Sequence, residues 1–267
     1  MIDYHVHSDI SVDCAVPMRR MAQAALDAGI KELGFAQHID LDLPKEVELD
    51  FSAIDLGAYV KDIADTRGDF PGLTVRCGIE AGLDINTKER MSAILSGFDE
   101  CDFVIGSQHF VFNSDPFYAT AWEGRTQREM YEEYMRVSLE TVTGCDFFDV
   151  LGHLGYIGKF CPYEDKLLRY SDYTDAVDAV LRALVERGKG LEVNTNGLYM
   201  TPSTMPETAI VKRFFELGGE IVTIGSDAHY ESVVGHAAAE TLDILKDIGF
   251  KYVCAFDKRK PRYIKIL

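Results

Sequence analysis

Apolar and polar positions follow two alternating rhythms along this chain. Over residues 2–7 they alternate with period two, placing Asp3, His5 and His7 on one face and Ile2, Tyr4 and Val6 on the other. A helical rhythm follows over 17–28, with Pro17 in the first turn and Gly29 just past the end. Further strands are expected over 32–38, 73–81, 103–109, 148–153, 190–194 and 220–226. Helices are expected over 55–66, 126–143, 173–187, 207–217 and 237–248; in the second of these Met130, Tyr134, Val137 and Leu139 share a face. A strand over 252–256 and a basic tail, Lys258 to Arg262, complete the series.

Seven strand–helix units without an internal linker predict an α/β protein, a single domain over 1–267, in which parallel strands close into a barrel. An open doubly wound sheet is the alternative. The irregular stretches 41–50 and 112–124 are long enough to be functional loops over a barrel mouth.

Composition narrows the partners. Apolar residues make up 47% of 267, enough for a large core, and the mean hydropathy of −0.06 suits a soluble protein. Forty-four acidic against 27 basic residues give a net charge of −17, which repels phosphate backbones and argues against nucleic-acid binding. No apolar run of about 18 residues suggests a membrane span. The start reads as a strand rather than an export signal. Six scattered cysteines without a Cys-x-x-Cys pair favour reduced thiols and a cytoplasmic location. Nothing in the pattern sets the oligomeric state.

The polar residues at the strand ends carry the chemistry. Six of the seven histidines fall there: His5, His7, His38, His109, His153 and His229, joined by Glu80 and Asp227. In a parallel barrel those ends converge on one rim, where active sites are built. His5 and His7, two apart, point the same way, and Asp227 with His229 repeats that spacing on a strand expected to neighbour the first. A lone His at a strand end is usually structural. A full ring of them would be a cluster of unpaired polar groups, expensive to desolvate without a cation. The inventory exceeds the roughly three protein ligands of one catalytic zinc. Two or three divalent ions are therefore expected, bridged by Glu80, the only carboxylate at the mouth of a middle strand. Imidazole and carboxylate without thiolate suit Zn, Mn or Fe alike. His236 reads as structural.

Asp3-Tyr-His-Val-His7 with Ser11-Val-Asp13, Gln37-His38, Gly78-Ile-Glu80, Gly106-Ser-Gln-His109, Gly152-His153 and Gly225-Ser-Asp-Ala-His229 together resemble the polymerase and histidinol phosphatase (PHP) family, in matching order across essentially the whole chain. The resemblance implies a distorted (β/α)7 barrel with a trinuclear metal centre. It implies that His5, His7, Glu80 and Asp227 hold one ion, Glu80, His109 and His153 a second, and Asp13, His38 and His229 a third. Asp13 enters on the resemblance, because an acid in a Ser-x-Asp turn otherwise caps or turns the chain.

The activity this implies is hydrolysis of a small-molecule phosphate monoester by metal-activated hydroxide, with L-histidinol phosphate as the first substrate to try. Asp227 and His229 are the candidates for protonating the leaving alkoxide. Lys159 is placed to meet the phosphate, and Asn194 and Tyr199 to line the substrate side. Arg20, with Arg19, is a further basic candidate. Relatives of this type carry a basic residue where Tyr199 stands, so Tyr199 leaves phosphomonoester hydrolysis intact but bears on which ester is used. The alternatives are a phosphodiesterase or a promiscuous phosphatase for nucleotides or sugar phosphates, and a non-enzymatic interaction module. An amidohydrolase-type reading lacks the bridging lysine.

Overall fold

The computed structural model describes residues 1–266. Its frame is a parallel sheet with strands in sequence order: β1 (Ile2–Val6), β2 (Glu32–Ile39), β3 (Thr74–Gly82), β4 (Phe103–Ser107), β5 (Val150–Leu151), β6 (Gly190–Asn194) and β7 (Val222–Gly225). The barrel closes where Val6 bridges Ala228 just past β7: His7 N donates to Ala228 O at 2.9 Å and Ala228 N to His5 O at 3.3 Å. A distorted single-domain (β/α)7 barrel results, as the strand–helix alternation predicts.

The helices in chain order are α1 (Met18–Asp27), α2 (Leu56–Asp69), α3 (Lys88–Ser96), α4 (Gln127–Gly144), α5 (Thr174–Glu186), the short α6 (Gly197–Met200), α7 (Thr208–Glu216) and α8 (Ala238–Ile248). Capping chemistry sets several starts. Asp55 accepts Ala58 N at 2.9 Å ahead of α2, and Thr126 with Glu129 forms a reciprocal capping box before α4. Helices α3 and α6 were not expected from the sequence.

Three expected strands are shorter than their apolar runs. β4 stops at Ser107, β5 spans two residues and β7 ends at Gly225, so His109, His153, Asp227 and His229 lie in loops just beyond their strands. Asp227 sits at φ 52°, a left-handed conformation that Asp tolerates better than most residues. A turn, not strand alternation, therefore brings Asp227 and His229 to one side.

The expected basic tail is instead a strand. β8 (Tyr252–Asp257) and β9 (Lys260–Lys265) form an antiparallel hairpin whose two turn residues, Lys258 and Arg259, both have positive φ, the two-residue turn whose twist suits hairpins. The hairpin closes the end of the barrel where the strands begin. Phe256 N donates to Tyr4 Oη (2.9 Å), Lys258 N to Asp102 (3.2 Å), and the Arg259 guanidinium to Asp149 (3.0 Å). At the centre of this base, buried Glu32 accepts from Tyr4 Oη (2.7 Å), Arg76 (2.9 Å) and Arg262.

Burial works against the Glu32 anion, but Arg262, Tyr4 and Arg76 outweigh it and hold its carboxyl below the usual range. Its contribution to stability is thus present above the unfolded glutamate value of about 4.3 and is lost as pH falls through the lower folded value. Glu32→Gln, which strands two guanidinium groups, should cost about 3 kcal/mol at pH 7 in urea denaturation. The deficit should shrink below about pH 4; a deficit independent of pH would contradict this role.

Candidate metal centre

Glu80, near the C-terminal end of β3, is buried to 1% exposure with five imidazoles around its two oxygens. Its Oε1 lies 2.7 Å from His153 Nε2 and 3.1 Å from His109 Nε2. Its Oε2 lies 3.0 Å from His5 Nε2, 3.2 Å from His38 Nδ1 and 3.5 Å from His7 Nε2. Asp227 Oδ1 approaches His7 Nε2 (3.4 Å) and His5 Nε2 (3.9 Å). Asp13 Oδ2 meets His229 Nε2 (2.9 Å) and His38 Nε2 (3.4 Å). The nine sequence-predicted donors thus stand in one group at the loop end of the strands.

Hydrogen bonds behind the rings decide which nitrogen faces the group. His5 Nδ1 is 2.6 Å from Glu192 Oε1, and a carboxylate can only accept, so Nδ1 keeps its proton and Nε2, facing Glu80, is the nitrogen that can yield its proton to a cation. Asp40 Oδ1 does the same for His109 Nδ1 at 2.8 Å. Ser11 Oγ gives its single proton to Gln37 Oε1 (2.7 Å), so it can only accept from His7 Nδ1 (3.4 Å). His229 Nδ1 donates to the Asp227 carbonyl at 3.1 Å. His7 Nε2 and His38 Nδ1 are left buried without a hydrogen-bond partner, both aimed at Glu80.

Unpartnered lone pairs beside buried carboxylates fit divalent cations with mixed N/O ligation. Three groups have donor atoms mutually close enough to hold one ion: His7, Asp13, His38 and His229; His5, His7 and Glu80; His38, Glu80 and His109. The last differs from the ligand set the resemblance implies, which has His153 in place of His38.

Glu192 and Asp40 were not singled out from the sequence, although a Glu inside the apolar run Leu191-Glu-Val193 was a readable signal. Glu192 is fully buried and its Oε2 also accepts His153 N (2.7 Å) and Asn194 Nδ2 (3.2 Å), joining β1, β5 and β6. Two glycines make room for these carboxylates. A Cβ on Gly225 would lie 2.3 Å from Glu192 Oε1 and 2.4 Å from His5 Cβ, and one on Gly82 would lie 2.2 Å from Asp40 Oδ1.

Electrostatics without a cation are dominated by proton sharing. Burial, with neighbouring His229 and His38, pushes His7 down to about 3. For His109 burial also disfavours the charged ring, but Asp40 and Glu80 outweigh it and push it up to about 10. His5 and His38 are raised well above the ordinary value against burial, by Glu192 with Glu80 and by Glu80 with Asp13 respectively. A cation arriving here displaces protons.

Above the centre opens a cavity of about 570 Å³, walled by the 41–51 and 112–118 loops and the turns after β5, β6 and β7. Lys159 lines it, with Nζ 3.6 Å from Asp227 Oδ2. Tyr199 lines it too, half-exposed and stacked on His236 at 4.4 Å between centroids. Two expected residues do not line it. Asn194 is fully buried at the end of β6, turned toward Glu192, and Asn196 two residues on takes the cavity position. Arg20 projects from α1 into solvent, where Nη2 pairs with Glu231 at 3.0 Å. Arg19 pairs with Asp69.

Glu192→Gln replaces an oxygen that accepts two N–H donors with an NH2, and should weaken metal binding about 10- to 100-fold in chelator competition. Wild-type affinity should fall steadily from pH 9 to 5, with proton release on loading measurable by calorimetry in buffers of different ionisation heat. Loading without proton uptake or release would contradict the tautomers described.

Residues 3–196 match the PHP domain family model. A probable histidinol-phosphatase of Clostridium acetobutylicum is 32% identical over 98% of this chain and 99% of its own length. A histidinol-phosphatase of Lactococcus lactis is 28% identical over 97% and 95%. The crystal structure of a Lactococcus lactis histidinol phosphate phosphatase, complexed with zinc, L-histidinol and phosphate, superposes with a TM-score of 0.91 at 27% identity, covering 98% of each chain. By the match of family model and relatives over its length, the chain belongs to the PHP domain family.

Proposed function

We propose that the chain is a metal-dependent phosphomonoester hydrolase that converts L-histidinol phosphate and water to L-histidinol and phosphate. The observation that carries the reading is the convergence of nine donors, Glu80 among them, on the floor of a cavity large enough for a small phosphate ester. The likeness to an enzyme crystallised with zinc, L-histidinol and phosphate supports it. The chain has no membrane-length apolar helix among its described residues, and its six cysteines are free and buried, which supports a cytoplasmic location.

In this reading His5, His7, Glu80 and Asp227 hold one divalent ion, Glu80, His109 and His153 a second, and Asp13, His38 and His229 a third, with His38 close enough to Glu80 to serve the second as well. When bound, divalent cations lower the pKa of water and neutralise the phosphoryl oxygens. Lys159 binds a phosphoryl oxygen from the rim through Nζ. Asp227 is held well below the usual carboxylate range: burial opposes this, and Lys159 and His7 outweigh it. An anion cannot give a proton to the leaving alkoxide, and the Nδ1 proton of His229 is committed to the Asp227 carbonyl. Both therefore serve as ligands. Beside the centre itself, Lys159 lies 3.6 Å from Asp227, and the Tyr156 phenol, which burial followed by Asp115 and Asp227 keeps protonated, packs against His109 and His153. Phe117, Tyr199 and Tyr230 offer ring faces to an imidazole.

Protein loaded with zinc or manganese should release phosphate from L-histidinol phosphate faster than from nucleoside monophosphates or a bis-aryl phosphate diester. Chelation should abolish turnover, and metal should restore it. Glu80→Gln should lose two equivalents of metal together and about 10³-fold in kcat. Loss of a single equivalent, or preference for the diester, would refute the bridging role or the substrate respectively.

A further inference from the structure

Every carboxylate lining the cavity has a cationic or imidazole partner within ion-pair distance, except one. Asp13 meets His38 and His229, Glu80 meets its ring of histidines, and Asp227 meets Lys159. Asp115 has none among the described residues. It sits in the irregular 112–118 loop, where Oδ1 accepts Phe117 N at 2.9 Å, leaving Oδ2 uncommitted. Its own amide donates to Glu46 Oε1 at 3.3 Å, so a second carboxylate stands behind it. Burial pushes the Asp115 carboxyl up, against the Phe117 amide and the more distant His109, with Asp40 and Glu46 adding to the push. A half-buried anion backed by another anion, open to a cavity and without a cation in direct contact, is costly unless something cationic enters.

Resting on the phosphatase reading above, we propose that Asp115 is the specificity-determining residue for esters bearing an ammonium next to the phosphoester carbon, binding that ammonium by a charge-assisted hydrogen bond. L-Histidinol phosphate carries such a group; nucleoside and sugar phosphates do not. The metal floor and Lys159 take the dianionic end, and Asp115 takes the cationic nitrogen three bonds from the ester oxygen. The substrate is thereby read as a dipole rather than as a phosphate with an arbitrary tail. Loss of a hydrogen bond to a charged group is a differential effect that an ester without the ammonium does not feel.

The test compares L-histidinol phosphate with 3-(imidazol-4-yl)propyl phosphate, the same ester without its amine, on zinc-loaded wild type, Asp115→Asn and Asp115→Glu. The wild type should prefer the amine. In Asp115→Asn the ratio of kcat/KM for the two esters should fall about 10- to 100-fold, chiefly through KM for the amine ester. Asp115→Glu, which keeps the charge, should retain most of the ratio. Circular dichroism and metal content confirm that each variant is folded and loaded. Equal wild-type efficiency on both esters, or an unchanged ratio in Asp115→Asn, overturns the subsite while leaving the phosphatase reading intact. Failure of loaded wild type to hydrolyse either ester overturns both.

Discussion

A fully buried glutamate faced by five imidazoles is the constraint around which this molecule is arranged. Glu80 is buried, and its two oxygens are approached by five rings, more than the roughly four acceptor sites of a carboxylate can take. Cations resolve the imbalance, because a divalent ion accepts lone pairs from carboxylate and imidazole together and removes the need for either to carry a proton. The outer carboxylates fit the same logic. Glu192 and Asp40 take the Nδ1 protons of His5 and His109, so each ring presents Nε2 before any ion arrives.

The barrel supplies this arrangement by separating two kinds of charge. At the strand starts Glu32, Asp102 and Asp149 are answered by arginines and backbone amides of the terminal hairpin, and those pairs are closed. At the strand ends the carboxylates and imidazoles are left open to ions and to a cavity. Asp3 links the two halves of the closure, accepting Ser226 N (2.9 Å), Ser226 Oγ (2.6 Å) and Gly235 N (2.8 Å), which fixes the turn carrying Asp227 and His229.

Much of this was legible in the sequence because the centre is built from chemically unusual residues at regular places. Histidines at successive strand ends announced the rim, and period-two and helical patterns delivered the order of strands and most helices. What escaped had weaker local signals. The final hairpin turns on Lys258-Arg259, with neither Asn nor Gly to mark the positive φ, so its basic residues read as a tail; tertiary ion pairs pull them into the turn. Asn194 and Asn196 could not be told apart without knowing that β6 ends at Asn194 and turns it toward Glu192. Arg20 satisfied a plausible position in sequence but faces Glu231 in space. Helix α3 has only a weak apolar face, and α6 is a single turn held by the loop around it.

The overlap among the three donor groups has a collective consequence. His7, His38 and Glu80 each belong to two of them, so no group is private to one ion. Filling one position strips protons from rings that the neighbouring position also uses, and vacating it returns charge to both. Occupancy of one position and protonation of the next are therefore linked through the side chains they share.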